Sequence, residues 1–182
     1  MAKIHITLQG KGGVGKSFIS ATTAQYKQHK GQAPVCIDTD PINSTFYGFK
    51  ALNVDHIQVM SGDEINPRLF DTINGFAQLI DQFASEAQFV VWLNPYWGAI
   101  EHEGKTFEQL KAYRDNKDRI SALIQIPDLK KETYGRDLTE MLQQKLTFDE
   151  VLGKPEKSIM TRQRLKIVQN QLFGQLDNAR VI

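Results

Sequence analysis

Apolar and polar positions alternate over residues 3–9 (KIHITLQ), with Ile4, Ile6 and Leu8 on one side, and this two-residue period predicts a strand. Four glycines follow between Gly10 and Gly15. Beyond them Phe18, Ile19, Thr22, Thr23 and Tyr26 recur at helical spacing across residues 16–30, and Gly31 marks a stop. Residues 34–38 (PVCID) form a short apolar run ending in acid, the pattern of a buried parallel strand. The first forty residues therefore predict strand, glycine loop, helix and strand, a right-handed βαβ unit.

Further along, the pattern predicts helices over 73–84, 106–118, 138–145 and 161–176, the last with Leu165, Val168, Leu172 and Leu176 along one face. Residues 89–93 (FVVWL) and 122–126 (ALIQI) read as buried strands, each halted by a proline within two residues. No internal repeat or linker divides the 182 residues, so strands alternating with helices point to one α/β domain with a mainly parallel sheet.

Composition narrows the function classes. Lys plus Arg is 22 and Asp plus Glu is 21, which gives no general attraction to nucleic acid or an anionic membrane. A single cysteine, Cys36, excludes an internal disulfide and reads as buried packing. The N-terminus lacks a signal-peptide pattern, and no run approaches the roughly 18 apolar residues of a membrane span. The expected location is cytoplasmic.

Residues 10–17 fit G-x-x-x-x-G-K-[ST] at every fixed position, between a predicted strand and a predicted helix. Glycines let successive backbone N–H groups converge on phosphate oxygens, and the helix N-terminus adds a partial positive charge. Lys16 is placed to reach the β- and γ-phosphates, and the Ser17 hydroxyl to ligate Mg²⁺. The same stretch also spells G-x-G-x-x-G at Gly10, Gly12 and Gly15, with Asp38 about twenty residues further, a dinucleotide fingerprint. A Lys–Ser pair after the last glycine favours the triphosphate reading. So does Asp40, which together with Asp38 supplies two carboxylates at a strand tip, suited to holding Mg²⁺ or orienting water.

Lys11 makes the motif more specific. K-G-G-x-G-K-[ST], residues 11–17, with D-x-D-P at residues 38–41, resembles the deviant Walker A motif and first switch of the ParA/MinD ATPase family. GFAQL, FVVWLNPYWG, EHEGKTFEQLKAY, LIQIPDLKKETYGRDL, KLTFDEVL and IMTRQRLKIV resemble a plasmid conjugal-transfer branch of that family. The resemblance implies a three-layer P-loop domain whose mainly parallel sheet is flanked by helices. It also implies ATP and Mg²⁺ as cofactors, a homodimer closed around nucleotide, and partners in the conjugation machinery. Lys11, Lys16 and Asp40 take the catalytic roles, with Lys11 reaching the partner protomer's nucleotide and Asp40 beside the attacking water. Gly10, Gly12, Gly13, Val14, Gly15, Lys16, Ser17 and Phe18 line the phosphates, Asn94 and Pro127 fall near the adenine, and Ser17, Asp38 and Asp40 face the metal.

Two departures from the family stand out. Phe18 replaces a hydroxyl residue that bonds the α-phosphate. Between residues 55 and 74 no apolar strand ends in the acidic second switch, so the match skips a segment near Asp71 and Thr72 and the sheet has a reduced strand count. ATP hydrolysis is then slow or lost. A non-catalytic adaptor and an NAD-binding Rossmann protein stay open as alternatives. Residues 94–98 (NPYWG) read as a lid over a sheet edge or a partner patch. Residues 101–103 (EHE) carry too few ligands for a metal. Arg162, Arg164 and Lys166 read as the solvated flank of a helix or as a contact to a DNA backbone.

Overall fold

Helix α1 (Lys16–His29) begins where the glycines end. Its last turn closes through the Lys30 N–H onto the Tyr26 carbonyl at 3.0 Å, and Gly31 takes φ +74°, the left-handed conformation that ends helices. The computed structural model describes residues 3–7, 15–40, 43–57, 81, 87–95, 104–127 and 135–179. Within them the chain has a mixed α/β architecture of small parallel sheets and helices.

Strand β1 (Ile37–Asp38) pairs in parallel with β2 (Asp55–His56). The crossover between them carries two short 3-10 turns, Phe46–Gly48 and Lys50–Leu52. Phe46, Phe49, Leu52 and Val54 from this crossover pack with Cys36 against Ala21 and Ala24 of α1, a small second core. Cys36 is thus buried as its pattern predicts, and burial pushes its thiol pKa up.

Strand β3 (Phe89–Leu93) pairs in parallel with β4 (Ile120–Gln125), and a bulge at Ser121 shifts the register from Phe89 opposite Ile120 to Val90 opposite Ala122. The crossover holds α2 (Lys111–Asn116) between 3-10 turns at Phe107–Gln109 and Lys117–Arg119. Leu110, extended at ψ 143°, breaks what the pattern predicts as one helix over 106–118. Three helices follow: α3 (Arg136–Gln143), α4 (Phe148–Gly153) and α5 (Ile159–Ala179). The main core joins Ile124 and Ile126 to Phe148, Leu165, Val168 and Leu172, with Phe18 and Tyr26 inserted from α1. Leu165, Val168, Leu172 and Leu176 are all buried, as their helical spacing predicts. Gln25 joins α1 to α4: its Oε1 accepts the Phe148 N–H at 2.7 Å, inside the core where an unpaired amide is costly.

The structure corrects the sequence reading at its start. Residues 3–7 form no ladder, and Ile4 and Ile6 are 85% and 72% exposed. They lie along α1 instead, where Ser20 Oγ donates to Thr7 Oγ1 at 2.9 Å. Alternation alone does not make a strand; a neighbouring strand must supply the hydrogen bonds, and no described strand is paired with residues 3–7. The first forty residues therefore hold no βαβ ladder among the described residues, and two two-stranded sheets replace the single expected one. Residues 34–38 are not a strand buried on both faces either, because Val35 is 81% exposed while Cys36 is buried. Helix α4 is additional to the expected elements. The predicted helix over 73–84 lies outside the described residues except for Asp81, which is helical.

A pH effect follows from the α1–α5 contact. Tyr26 Oη donates to Asp177 Oδ1 at 2.9 Å, and Lys30 Nζ lies 2.5 Å from the same oxygen. Burial first, then this hydrogen bond, pushes the Tyr26 pKa up to about 12 from an ordinary value of 10.0. A raised pKa in the folded state means a stabilisation fully present below pH 10 and lost as pH rises through about 12. Melting temperature should fall across that window in the wild type, and less steeply in Tyr26→Phe. Parallel slopes would remove Tyr26 as the cause.

Candidate nucleotide site

Gly15 sits at the N-cap of α1 with φ +102° and ψ 13°. The positive φ is what favours glycine here, and a Cβ would lie 3.0 Å from Asn94 Nδ2, so that amide would have to move aside. The Ile19 N–H donates to the Gly15 carbonyl at 2.9 Å, which leaves the amides before it without an intrahelical acceptor. Gly15 makes no side-chain cap and the first turn holds no acid, so within the helix itself the partial positive charge at this end is not offset. Lys16 and Ser17 are half-buried in that first turn. Phe18 turns its ring into the main core, so of its groups only the N–H is available to a phosphate.

The β3–β4 sheet meets the loop at its end. The Ile126 N–H donates to the Leu93 carbonyl at 2.9 Å, which puts the next residues of both strands, Asn94 and Pro127, at one edge. Asn94 lies against Gly15 there. Three expected site residues from distant parts of the sequence thus share one neighbourhood, with the amide of Asn94 beside the start of α1.

Asp38 and Asp40 belong to a second network. The buried Asp38 carboxylate accepts the Asp40 N–H at 3.0 Å through Oδ1 and the Tyr47 N–H at 2.9 Å through Oδ2. Asp40 Oδ1 accepts the Asn43 N–H at 3.0 Å, and its carbonyl accepts Ser44 Oγ at 3.1 Å. His56 on β2 joins in, with Nε2 3.0 Å from Ser44 Oγ and its ring 5.8 Å from that of Tyr47. Ser44, Tyr47 and His56 form no motif along the chain, and only the β1–β2 pairing brings them to the carboxylates. Gly10, Lys11, Gly12, Gly13 and Val14 lie outside the described residues, as do residues 96–98 of the expected lid and residues 101–103.

Of the basic trio on α5, Arg164 is committed to the fold: its Nε lies 2.5 Å from Asp137 Oδ2. Lys166 Nζ donates to Gln169 Oε1 at 2.9 Å. The trio is therefore not a row of cations turned together toward a phosphate backbone. Among the described residues no group of three or more His, Cys, Asp or Glu side chains is arranged to hold a metal, and no helix is long and apolar enough to cross a membrane.

Comparison with known proteins places this geometry in context. The family model for anion-transporting ATPase matches residues 3–58, the stretch from the expected first strand through β2. Two Escherichia coli proteins, each named Protein TraL, are 52% and 51% identical to the chain across the full length of both sequences. Those alignments run over 241 positions, 59 more than the 182 residues of this chain, so at least that many positions have no residue here. No solved structure matches.

Proposed function

The chain belongs to the TraL family, and from that premise we propose that it is a Mg-ATP-binding P-loop protein of the ParA/MinD type that supports plasmid conjugal transfer from the cytoplasm. The observation that carries the reading is the opening of α1: a positive-φ glycine, an uncapped first turn free of acid, and Lys16 and Ser17 within it. An anion fits such a turn, and the sequence KGGVGKS names a nucleotide phosphate as that anion.

On this reading the N–H groups of residues 10–18 bind phosphate oxygens, and Lys16 neutralises charge on the β- and γ-phosphates. Ser17 holds Mg²⁺ through its hydroxyl, and Asn94 and Pro127 border the nucleotide from the sheet edge. Bound Mg-ATP supplies a phosphoryl group primed for transfer to water. Lys11 of one protomer reaches the nucleotide of another, so the expected assembly is a homodimer. Asp38 acts by holding the Asp40 backbone at 3.0 Å, and Asp38 and Asp40 would face the Mg²⁺ while Asp40 would orient the attacking water. The domain is a three-layer P-loop unit over residues 1–182 that lacks a family segment between Asp71 and Thr72. The 59 unmatched positions of the TraL alignment support that deletion.

A second reading, a nucleotide-holding adaptor without hydrolysis, is favoured by the Asp38 carboxylate's engagement with two backbone amides and by the absence of an acidic strand end in residues 55–74. Calorimetry with Mg-ATP and with NAD tests the shared premise, which predicts heat from the first only. Phosphate release separates the two readings: a rate in wild type above that of Lys16→Ala makes the protein an ATPase, and equal background rates make it an adaptor.

A further inference from the structure

Helix α5 carries a second apolar stripe that its packing does not use. Its buried face runs through Leu165, Val168, Leu172 and Leu176. On the opposite side of its first turns, Ile159 and Met160 are 65% and 61% exposed and Ile167 is 45% exposed. At 100° per residue these three positions fall within about a third of the helix circumference, so they form one stripe rather than scattered surface hydrophobes.

Beside the stripe a shallow groove of about 370 Å³ runs between α4 and α5, lined by Leu152, Ile159, Arg162, Gln163 and Lys166. Its two charged residues are both cations, and no Asp or Glu lines it. Arg162 Nε is buried and makes no hydrogen bond, whereas Arg164 two residues on is paired with Asp137. Arg162 therefore brings to the groove wall a charge that no ion pair among the described residues offsets, and an incoming carboxylate would offset it.

We infer that this groove docks an acidic amphipathic helix of a partner protein. The partner's apolar residues seat on Leu152, Ile159 and the Met160–Ile167 stripe, and its carboxylates meet Arg162 and Lys166. Charge complementarity selects the occupant: an apolar floor rimmed by two cations fits a helix whose apolar stripe is edged with Glu or Asp. A DNA backbone would find no use for the exposed Ile and Met side chains. The groove involves none of the nucleotide-site residues, so this inference stands apart from the proposed function.

The test uses the full chain and a fluorescently labelled synthetic helix of about 18 residues, with leucines on one face and glutamates beside them, followed by anisotropy. Saturable binding is expected, weakened about tenfold or more by Ile159→Asp and by Arg162→Glu. Ile159 is exposed and Arg162 part-buried, and unchanged circular dichroism checks that both variants fold. A lysine-edged version of the peptide should prefer Arg162→Glu/Lys166→Glu over wild type. The proposal is overturned by no saturable binding to wild type, by equal binding of a scrambled peptide of the same composition, or by affinity that neither variant moves. It is also overturned if duplex DNA binds in a manner lost with Arg162→Glu while the peptide does not.

Discussion

Replacing Lys16 with alanine is expected to abolish the thermal stabilisation that Mg-ATP confers on the wild-type chain. A ligand at a hundred times its Kd stabilises the state it binds by about 2.7 kcal/mol. For a chain of this size that raises Tm by roughly 5–10 °C. Lys16 is the first residue of α1 and half-buried, and alanine is the best helix former, so the variant without nucleotide should melt within a few degrees of wild type. The ammonium lost is the main side-chain charge offered to the phosphates, and the shift should fall to near zero. A Lys16→Ala chain that melts as much higher with Mg-ATP as the wild type does would refute the P-loop assignment. Ser17→Ala should behave differently: its shift should shrink in Mg-ATP but persist in ATP with chelator, because the hydroxyl acts on the metal and the backbone cradle on the phosphate.

The parts of this protein legible in its sequence are those whose signal is local or strongly periodic. Strand β3 matches its predicted bounds because five consecutive apolar residues meet Asn94 and Pro95. Helix α1 was visible from the glycine on either side of it, and α5 from a stripe of leucines and a valine sustained over three turns. The phosphate-loop motif was equally plain, since every residue of such a cradle lies within eight positions. Helix α4 was hidden by its six residues, too few to show a period, although Thr147 and Glu150 spell a capping box that the structure forms, with the Thr147 N–H on Glu150 Oε2 at 2.8 Å. Failures came where a neighbour decides. Residues 3–7 have the alternation of a strand without a ladder, and the Tyr47 amide that the Asp38 carboxylate accepts lies nine residues further along the chain. Neither the pairing partner nor the Tyr47 amide is encoded next to the residue it serves. His56 escaped for the same reason, sixteen positions from the carbonyl of Asp40 it approaches.

On the proposed deletion between Asp71 and Thr72, restoring there the segment that the TraL alignment leaves unmatched is expected to stabilise the chain by several kcal/mol, and the reason lies in residues far from the junction. Ile4, Ile6 and Val35 have the spacing of strand residues, yet the chain leaves each of them more than two-thirds exposed. Burying an aliphatic side chain of this size contributes about 1.5–3 kcal/mol, so covering all three is worth on the order of 5 kcal/mol before the cost of ordering the new segment. The two chains should then disagree about a single pair of substitutions. In the present chain Ile4→Asp with Ile6→Asp changes a solvent-facing edge and should move stability by less than about 1 kcal/mol. In the chain with the segment restored, the same pair would place two carboxylates in a covered sheet face and should cost about 4 kcal/mol or more, enough to unfold a marginal domain. Denaturant melts of the four proteins read this out directly, and hydrogen exchange at residues 3–7 should slow only in the restored chain as its amides gain ladder partners. Equal effects of the aspartate pair in both backgrounds would mean that these isoleucines are surface residues of the intact family fold, and that the missing positions belong to some other part of the domain.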